Sequence, residues 1–193
     1  MFEYIKGEIS ILTPTCAVID VGGIGYYINI SLQTYSKLEG EKSAKLLLHQ
    51  IVREDANLLF GFFNDEEREI FRLLLTVSGI GANTARMMLS SLSADDIRAA
   101  IIKDDVMRLK SIKGIGLKTA QRIVVDLKDK VTHIGVGSEV FSATHGAIKD
   151  EALSALVALG FAKSPAEKAL IGLLKDNSDY TVEALIKAAL KQL

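Results

Sequence analysis

A nine-residue pattern occurs twice in the middle of the chain and constrains its fold more than any other feature. The first copy, Val77–Ala85, is VSGIGANTA, and the second, Ile112–Ala120, begins 35 residues later and is IKGIGLKTA. Each copy places Gly-Ile-Gly after an apolar residue and before a segment with helical spacing. Because glycine adopts backbone conformations that other residues avoid, each copy predicts a tight turn between two helices. We therefore expect two similar helix pairs.

The predicted turns are suited to bind anions. The first backbone N–H groups of a helix have no partner within the helix, and the helix dipole adds partial positive charge at that end. Phosphate is the natural ligand, and such contacts recognise the sugar-phosphate backbone of a nucleic acid rather than its bases. The candidate backbone-contacting residues are Gly79, Ile80, Gly81, Asn83 and Arg86 in the first copy and Lys113, Gly114, Ile115, Gly116, Lys118, Thr119 and Arg122 in the second.

Two nucleotide-binding motifs look similar to the repeat but do not match it. The segment 114–119 lacks the four residues that a Walker A loop places between its first glycine and Gly-Lys-Thr, and no strand is predicted ahead of it. The segment 79–84 lacks the third small residue of a dinucleotide fingerprint and follows a predicted helix. A single Gly-x-Gly between helices is usually only a turn. Two copies in register, the second followed by a basic helix, favour binding of a DNA or RNA backbone.

The overall charge gives no indication of a nucleic-acid partner. The 193 residues include 23 Lys and Arg against 24 Asp and Glu, a net charge of −1. Residues 108–130 nevertheless hold seven basic and two acidic side chains, a local charge of +5 around the second copy. A solvated helix face would explain this cluster equally well. Any nucleic-acid surface must therefore be local.

The composition of residues 1–63 predicts a small antiparallel barrel. Short β-branched and aromatic runs alternate with turn residues, and Gly22 to Gly25 suit a tight hairpin. About five short strands in some sixty residues is the size of an OB-like barrel, although an SH3-like barrel would show the same periodicity. Strands are predicted at Cys16–Val21, Tyr26–Ile30, Leu46–Arg53 and Leu58–Phe63.

The rest of the chain predicts helices on both sides of a linker. Residues 64–132 show helical spacing, 133–147 are rich in Gly and Ser and predict a flexible linker, and 148–193 predict a three-helix module. Ser164 and Pro165 suit the N-cap and first position of a helix. The fold class is thus multi-domain α+β. Helices are predicted from Asn64 or Asp65 and at Ala82–Ser91, Ala94–Ile102, Asp105–Leu109, Leu117–Val131, Asp150–Leu159, Ser164–Leu174 and Thr181–Leu190.

Several classes of protein are disfavoured by what the sequence lacks. The single Cys16 forbids an internal disulfide, and three scattered His provide no zinc ligand set, so we expect no metal and no cofactor. The start MFEYIKGE lacks the order of a signal peptide, and no run reaches the ~18 apolar residues of a spanning helix. No nucleophile beside a base and no nucleotide loop can be assembled. We expect a soluble, cytoplasmic, non-catalytic protein.

The repeat looks like a tandem helix-hairpin-helix domain, and the whole chain resembles the RuvA family of Holliday-junction-binding subunits. The most specific segments are Asp20–Tyr26 (DVGGIGY), Val52–Gly61 (VREDANLLFG) and the two Gly-Ile-Gly hairpins, in the family's order and spacing. The resemblance implies an N-terminal OB-type barrel that assembles a homotetramer, with one tetramer or two facing ones on the DNA. It implies a junction-binding middle domain and a C-terminal module of ubiquitin-associated type that contacts a hexameric RuvB-type ATPase. The implied role is branch migration in recombination, DNA repair and the SOS response.

The resemblance also assigns roles to particular residues. Glu54 and Asp55 correspond to the family's acidic pair at the tetramer centre, where carboxylates would repel phosphates; an ordinary exposed β-turn is the alternative. Asn83 stands where the family has a basic residue, so Arg86 is the substitute expected there. A RuvC-type junction resolvase is a further candidate partner. The predicted motor-binding residues are Leu156, Leu159, Gly160 and Phe161, with core packing as the alternative.

Two other classes of function remain open at this point. A helix-hairpin-helix nuclease or glycosylase would need a catalytic residue closely following its hairpin, and Asp126 is the candidate, on a helix face that looks solvated. An adaptor that binds peptides through the C-terminal module would have no need of the two hairpins.

Overall fold

The structure, a computed structural model, describes residues 1–132, 145–176 and 180–193. The chain divides into two compact units, Met1–Gly137 and Ser138–Leu193. Most of the predicted linker 133–147 lies outside the described residues, and residues 145–147 belong to the backbone of a helix. The first unit holds the barrel and the glycine repeat, and the second holds the C-terminal helices.

The first unit begins with a five-stranded closed barrel. Its elements are β1 (Tyr4–Thr13), β2 (Cys16–Val21), β3 (Ile24–Ile30), α1 (Leu32–Leu38), β4 (Ser43–Val52) and β5 (Asn57–Phe62). The strand order is β1-β2-β3-β5-β4, and β1 closes the barrel by pairing with β4. Strands β3 and β5 run parallel, and the other neighbours are antiparallel. This order, with a helix between the third and fourth strands, is the OB arrangement and excludes the SH3-like alternative.

The glycines between β2 and β3 form the predicted hairpin turn. Gly22 and Gly23 have φ of 63° and 87°, and the Gly23 amide donates to Oδ1 of Asp20 at 2.9 Å. Positive φ at both central residues matches the twist of the flanking strands, which explains the two glycines. Neither β1 nor α1 was predicted from the sequence. Helix α1 nevertheless begins after an ordinary N-cap, Ser31, whose side-chain oxygen accepts a hydrogen bond from the Thr34 amide.

Five helices complete the described part of the first unit. They are α2 (Asp65–Leu75), α3 (Ala82–Ser91), α4 (Ala94–Ile102), α5 (Val106–Lys110) and α6 (Leu117–Val131). Helices α3, α4 and α6 have the predicted bounds. Asn64 caps α2 by accepting from the Glu67 amide at 3.0 Å, and three acidic residues in the first turn complement the helix dipole.

The barrel has its own core, and the core of the helices reaches the barrel at Phe60 and Phe62 of β5. Phe71 of α2 packs against Phe60 and Phe62 of β5, with ring centroids 5.1 and 4.9 Å apart, and all three side chains are buried. A buried polar cluster adds to this contact. Glu67 of α2 accepts hydrogen bonds from the hydroxyls of Ser31 and Thr34, the second at 2.7 Å. The helices are therefore held in a fixed position on the barrel.

The second unit is a three-helix module with its own core. Its helices are α7 (His145–Ala158), α8 (Lys163–Asp176) and α9 (Val182–Ala189). The prediction that Ser164 caps α8 is wrong, because the helix already begins at Lys163 and Ser164 lies in its first turn. Pro165 still lies in that turn, where a missing N–H removes no helical hydrogen bond. Thr181, predicted as the first residue of the last helix, is the N-cap of α9 and accepts from the Ala184 amide at 3.3 Å.

Candidate nucleic-acid interface

The two Gly-Ile-Gly segments have the same backbone geometry. We call them the first glycine turn (Gly79–Gly81) and the second glycine turn (Gly114–Gly116). Gly79 and Gly114 have φ of 94° and 88°, in the left-handed region that favours glycine. The central amide of each turn donates to the carbonyl of the residue three positions earlier, at 3.1 Å in both. The sequence repeat is therefore a structural repeat.

An apolar anchor holds each turn against the core. The side chains of Ile80 and Ile115 are 6% and 5% exposed and belong to the cluster that contains the helices of the first unit. The predicted contacts of these two isoleucines with a nucleic acid can therefore be made only by their main-chain atoms. Each isoleucine side chain packs into the core, while the glycines on either side of it are exposed.

The last glycine of each turn begins a helix and leaves its first amides open. Gly81 and Gly116 are the N-caps of α3 and α6, and neither helix has a side-chain cap. A Cβ added at either glycine would meet nothing within 4 Å, and both have ordinary negative φ of −94° and −79°. The protein's own fold does not require glycine there. The missing side chain instead leaves room for another molecule to approach the amides.

The two turns lie side by side. Arg122 of α6 reaches the first turn, where Nη1 donates to the carbonyl oxygen of Ser78 at 3.3 Å. In the other direction, Cε of Met87 on α3 lies 3.2 Å from the position of a Cβ at Gly114. Helix starts α3 and α6 thus belong to one surface of the first unit, a tandem arrangement that can follow a phosphate backbone.

Ion pairing leaves positive charge around the second turn. Arg108 pairs with Asp96 at 2.8 Å, and Lys128 pairs with Asp104 at 2.5 Å. Lys113 and Lys118 flank the second turn, are exposed, and have no carboxylate partner among the described residues. Thr119 is half-buried beside them. Among the described residues only Arg108 and Lys128 of the basic cluster 108–130 form ion pairs, so the cations nearest the open amides are available to contact phosphates.

The first turn differs in the contacts of its basic residue. Asn83 is exposed beside the turn. Arg86, predicted to replace the missing cation, makes hydrogen bonds with the barrel through one nitrogen of its guanidinium. Its Nη1 donates to the carbonyl oxygen of Thr15 and to Oδ1 of Asn29, both at 3.0 Å. The sequence could not show this, because both acceptors lie more than fifty residues away in the chain.

Glu54 and Asp55 lie at the tip of the β4–β5 hairpin. The strand ladder ends at Val52 and Asn57, and the Arg53 amide donates to the Ala56 carbonyl at 2.7 Å across the loop. We call residues 53–56 the acidic loop. Both carboxylates are exposed, and neither has a hydrogen-bond or ion-pair partner in the described part of the chain. They are free to interact with another molecule, as are the carboxylates of many exposed turns.

The predicted partner surface of the C-terminal module is divided between core and solvent. Leu156 is fully buried in the module's core, so the core-packing alternative describes it and its side chain cannot reach a partner. Leu159 is 62% exposed, and Gly160, two residues after the end of α7, has a φ of 99°. Phe161 is half-buried against the core. Of the four predicted residues, the three in the loop 159–161 are thus at least partly exposed.

The described residues provide no group of three or more His, Cys, Asp or Glu side chains that could hold a metal ion. Asp126 is exposed on α6, as the sequence suggested. A search of the described helices finds none with the length and apolar character needed to cross a membrane.

Three family models together match most of the chain. The model of the RuvA N terminal domain matches residues 1–61, a model of the SAM-like helix-hairpin-helix tandem matches 71–129, and the model of the RuvA C-terminal domain matches 147–193. The middle match contains both glycine turns. The barrel, the turns and the C-terminal module thus occur in the same order as the three matches.

Close relatives span the full chain. A protein of Bacteroides fragilis is 49% identical over 201 aligned residues, and one of Christiangramia forsetii is 48% identical over 193, each alignment covering 100% of both chains. A protein of Cytophaga hutchinsonii is 46% identical over 197 residues, covering 99% of both. All three are named Holliday junction branch migration complex subunit RuvA.

Proposed function

The chain belongs to the RuvA family, and from that premise we propose that it is the DNA-binding subunit of a Holliday junction branch migration complex. It serves recombination and DNA repair as an accessory subunit, and ATP hydrolysis belongs to its partner. We expect this work to take place in the cytoplasm. The observation that supports the proposal most strongly is the pair of glycine turns, which present helix starts without side-chain caps on one surface, beside lysines that have no ion-pair partner within the described ranges.

The turns bind the DNA backbone and not its sequence. Phosphate oxygens accept hydrogen bonds from the first amides of α3 and α6, and Lys113, Lys118 and Arg122 add charge-assisted contacts at the second turn. The first turn relies on amides alone, with Asn83 at its edge. Such contacts fit any base sequence, which a junction that moves along DNA requires.

The acidic loop lies at the centre of a homotetramer in this proposal. Four protomers face the four arms of the junction, and the carboxylates of Glu54 and Asp55 from all four meet near the crossover. Their charge repels phosphates, so continuous duplex does not cross the centre and separating strands are directed into new pairs. A second tetramer can clasp the opposite face of the DNA.

The C-terminal module recruits the motor, a hexameric RuvB-type ATPase. The surface that we assign to it is Leu159, Gly160 and Phe161, because an exposed leucine beside a partly covered aromatic ring gives a small apolar patch. The linker 133–147 joins this module to the junction-binding unit. A RuvC-type resolvase is the further partner proposed for the assembled complex.

A gel-shift comparison tests the proposal. The full-length protein is titrated into a synthetic four-way junction and into linear duplex of the same length and sequence, at several salt concentrations. We expect tighter binding to the junction, with discrete complexes of one and two tetramers. Equal affinity for both DNAs would contradict junction recognition. Strand nicking or base release by the chain alone would favour the nuclease or glycosylase alternative.

A further inference from the structure

Arg86 connects the first glycine turn to the barrel. It lies on α3, five residues after the cap Gly81, and its Nη1 donates to two acceptors of the barrel at 3.0 Å. One acceptor, the Thr15 carbonyl, also accepts from the Ile30 amide at 3.1 Å. The other, Oδ1 of Asn29, belongs to β3. Both acceptors are therefore held by the barrel, and a movement of α3 would break the contacts.

The same hydrogen bonds continue to the strand that follows the acidic loop. The Asn29 side chain donates through Nδ2 to the Leu59 carbonyl of β5 at 3.1 Å. Strand β5 begins at Asn57, directly after the loop. A path of two side chains, Arg86 and Asn29, thus joins α3, the helix after the first glycine turn, to β5, the strand after the acidic loop.

A second contact lies one helical turn later. Ser90 accepts from the Leu32 amide at 3.1 Å and donates to the Arg86 carbonyl at 2.9 Å. Helix α3 is consequently attached to the barrel at two successive turns. We call the contacts of Arg86 with Thr15 and Asn29 the α3 clamp.

The clamp engages one nitrogen of the Arg86 guanidinium. Nη1 carries two N–H groups, and the barrel accepts from both, so this nitrogen has no N–H left for a phosphate, while Nε and Nη2 carry the other three N–H groups. Both acceptors are neutral, and no carboxylate pairs with Arg86 among the described residues. The contact therefore does not neutralise the arginine charge. Its effect is to fix the position of α3 on the barrel.

We infer that Arg86 is a positioning residue for junction recognition: through the α3 clamp it fixes the first glycine turn relative to the acidic loop. The inference rests on the proposed function. A four-way junction fixes the arms relative to the crossover, so turn and loop must match it together. A linear duplex contacts the turns without occupying the centre and tolerates their movement. Rigidity of the clamp therefore favours the junction over the duplex.

A double-mutant cycle tests this inference. Arg86→Met removes the donor, and Asn29→Ala removes one acceptor while leaving the arginine charge in place. Each single variant is expected to lower junction affinity about tenfold, equivalent to ~1.4 kcal/mol. The double variant should lose little more than Arg86→Met alone, because both single changes break the hydrogen bond between Arg86 and Asn29. Affinity for linear duplex should change less than about twofold, and the salt dependence should stay that of the wild type. Arg86→Lys should recover most of the junction affinity.

The controls separate positioning from charge and from folding. Lys191→Met changes the net charge equally at an exposed site of the second unit and should bind both DNAs as the wild type does. Unfolding temperatures are measured for every variant. If Arg86→Met does not fold, the Asn29→Ala variant alone tests the inference. An arginine that contacts DNA directly would keep that contact when its acceptor on the barrel is removed, so junction affinity would then not change.

Two results would overturn the inference. One is an Arg86→Met variant that loses junction and duplex affinity equally, with a salt slope lower by about one contact, which would make Arg86 a phosphate ligand. The other is an Asn29→Ala variant that binds the junction as the wild type does. A wild-type protein with no preference for junctions would instead contradict the proposed function itself.

Discussion

A methyl group added at Gly116 should weaken junction binding without weakening the fold. Gly116 has a φ of −79°, which alanine adopts freely, and the added Cβ would meet nothing within 4 Å. Alanine restricts the unfolded chain, a gain of about 0.4–1 kcal/mol, and is a poorer N-cap than glycine by a similar amount. The free energy of unfolding of Gly116→Ala should therefore stay within about 0.5 kcal/mol of the wild type.

The same methyl lies where a phosphate would approach the amides of α6. Hydrogen bonds to charged groups contribute about 1.5–3 kcal/mol each, so the loss of one corresponds to a drop in affinity of about tenfold or more. Gly114→Ala is the matched contrast. It places alanine at a φ of 88° with its Cβ 3.2 Å from Met87, so it should cost about 1–2 kcal/mol of stability.

The assay pairs denaturant unfolding with junction titration for Gly116→Ala, Gly114→Ala and a control. Gly172→Ala is the control, since Gly172 lies in α8 with nothing near its Cβ position and outside the proposed interface. The expected pattern is lost binding with normal stability for Gly116→Ala, and unchanged binding for Gly172→Ala. Wild-type junction affinity in Gly116→Ala would refute the reasoning, because the open space at this glycine would then have no ligand.

Three further predictions concern charged or ionisable side chains. Lys118→Ala should lower the slope of log affinity against log salt by about one phosphate contact, and an unchanged slope would remove Lys118 from the interface. Glu54→Lys combined with Asp55→Lys should tighten binding to linear duplex, whereas unchanged duplex affinity would leave the acidic loop an ordinary turn. Burial raises the pKa of the Glu67 carboxyl above its ordinary 4.5, against three hydrogen bonds that lower it. The protonated Glu67 carboxyl therefore stabilises the folded protein fully at pH values below 4.5. This stabilisation is lost as the pH rises through the raised pKa. Urea unfolding at about pH 4 and about pH 7 should show Glu67→Gln gaining stability relative to the wild type with rising pH, and a constant difference would contradict this.

Local patterns in the sequence were sufficient to predict most elements. The bounds of α3, α4 and α6 follow from apolar spacing and from the glycines or serine before them, and Gly22 and Gly23 predict their hairpin because positive φ requires glycine. Strand β1 was not predicted; it pairs with both β2 and β4, and its register with β2 shifts between Ile9 and Ile11. Its position depends on partners that the local sequence does not show.

In the candidate interface, too, features that depend on adjacent residues could be predicted, and features that depend on long-range contacts could not. The repeat predicts two equivalent turns because their geometry depends on a few adjacent residues. The orientation of Arg86 depends on Thr15 and Asn29, which the chain brings together only after the barrel has formed. Leu156 and Leu159 look alike in the sequence, and only the packing of three helices separates the buried side chain from the exposed one. Long-range contacts thus decide which candidates can bind.

Hydrogen exchange of the turn amides tests the central claim most directly. In the free protein the first amides of α3 and α6 have no side-chain cap and should exchange rapidly, whereas the start of α4 is capped by Ser93 and serves as an internal reference. Binding of a four-way junction should slow exchange at both glycine turns and leave the start of α4 unchanged. Unaltered exchange at both turns in a fully bound complex would contradict the claim that they hold the DNA.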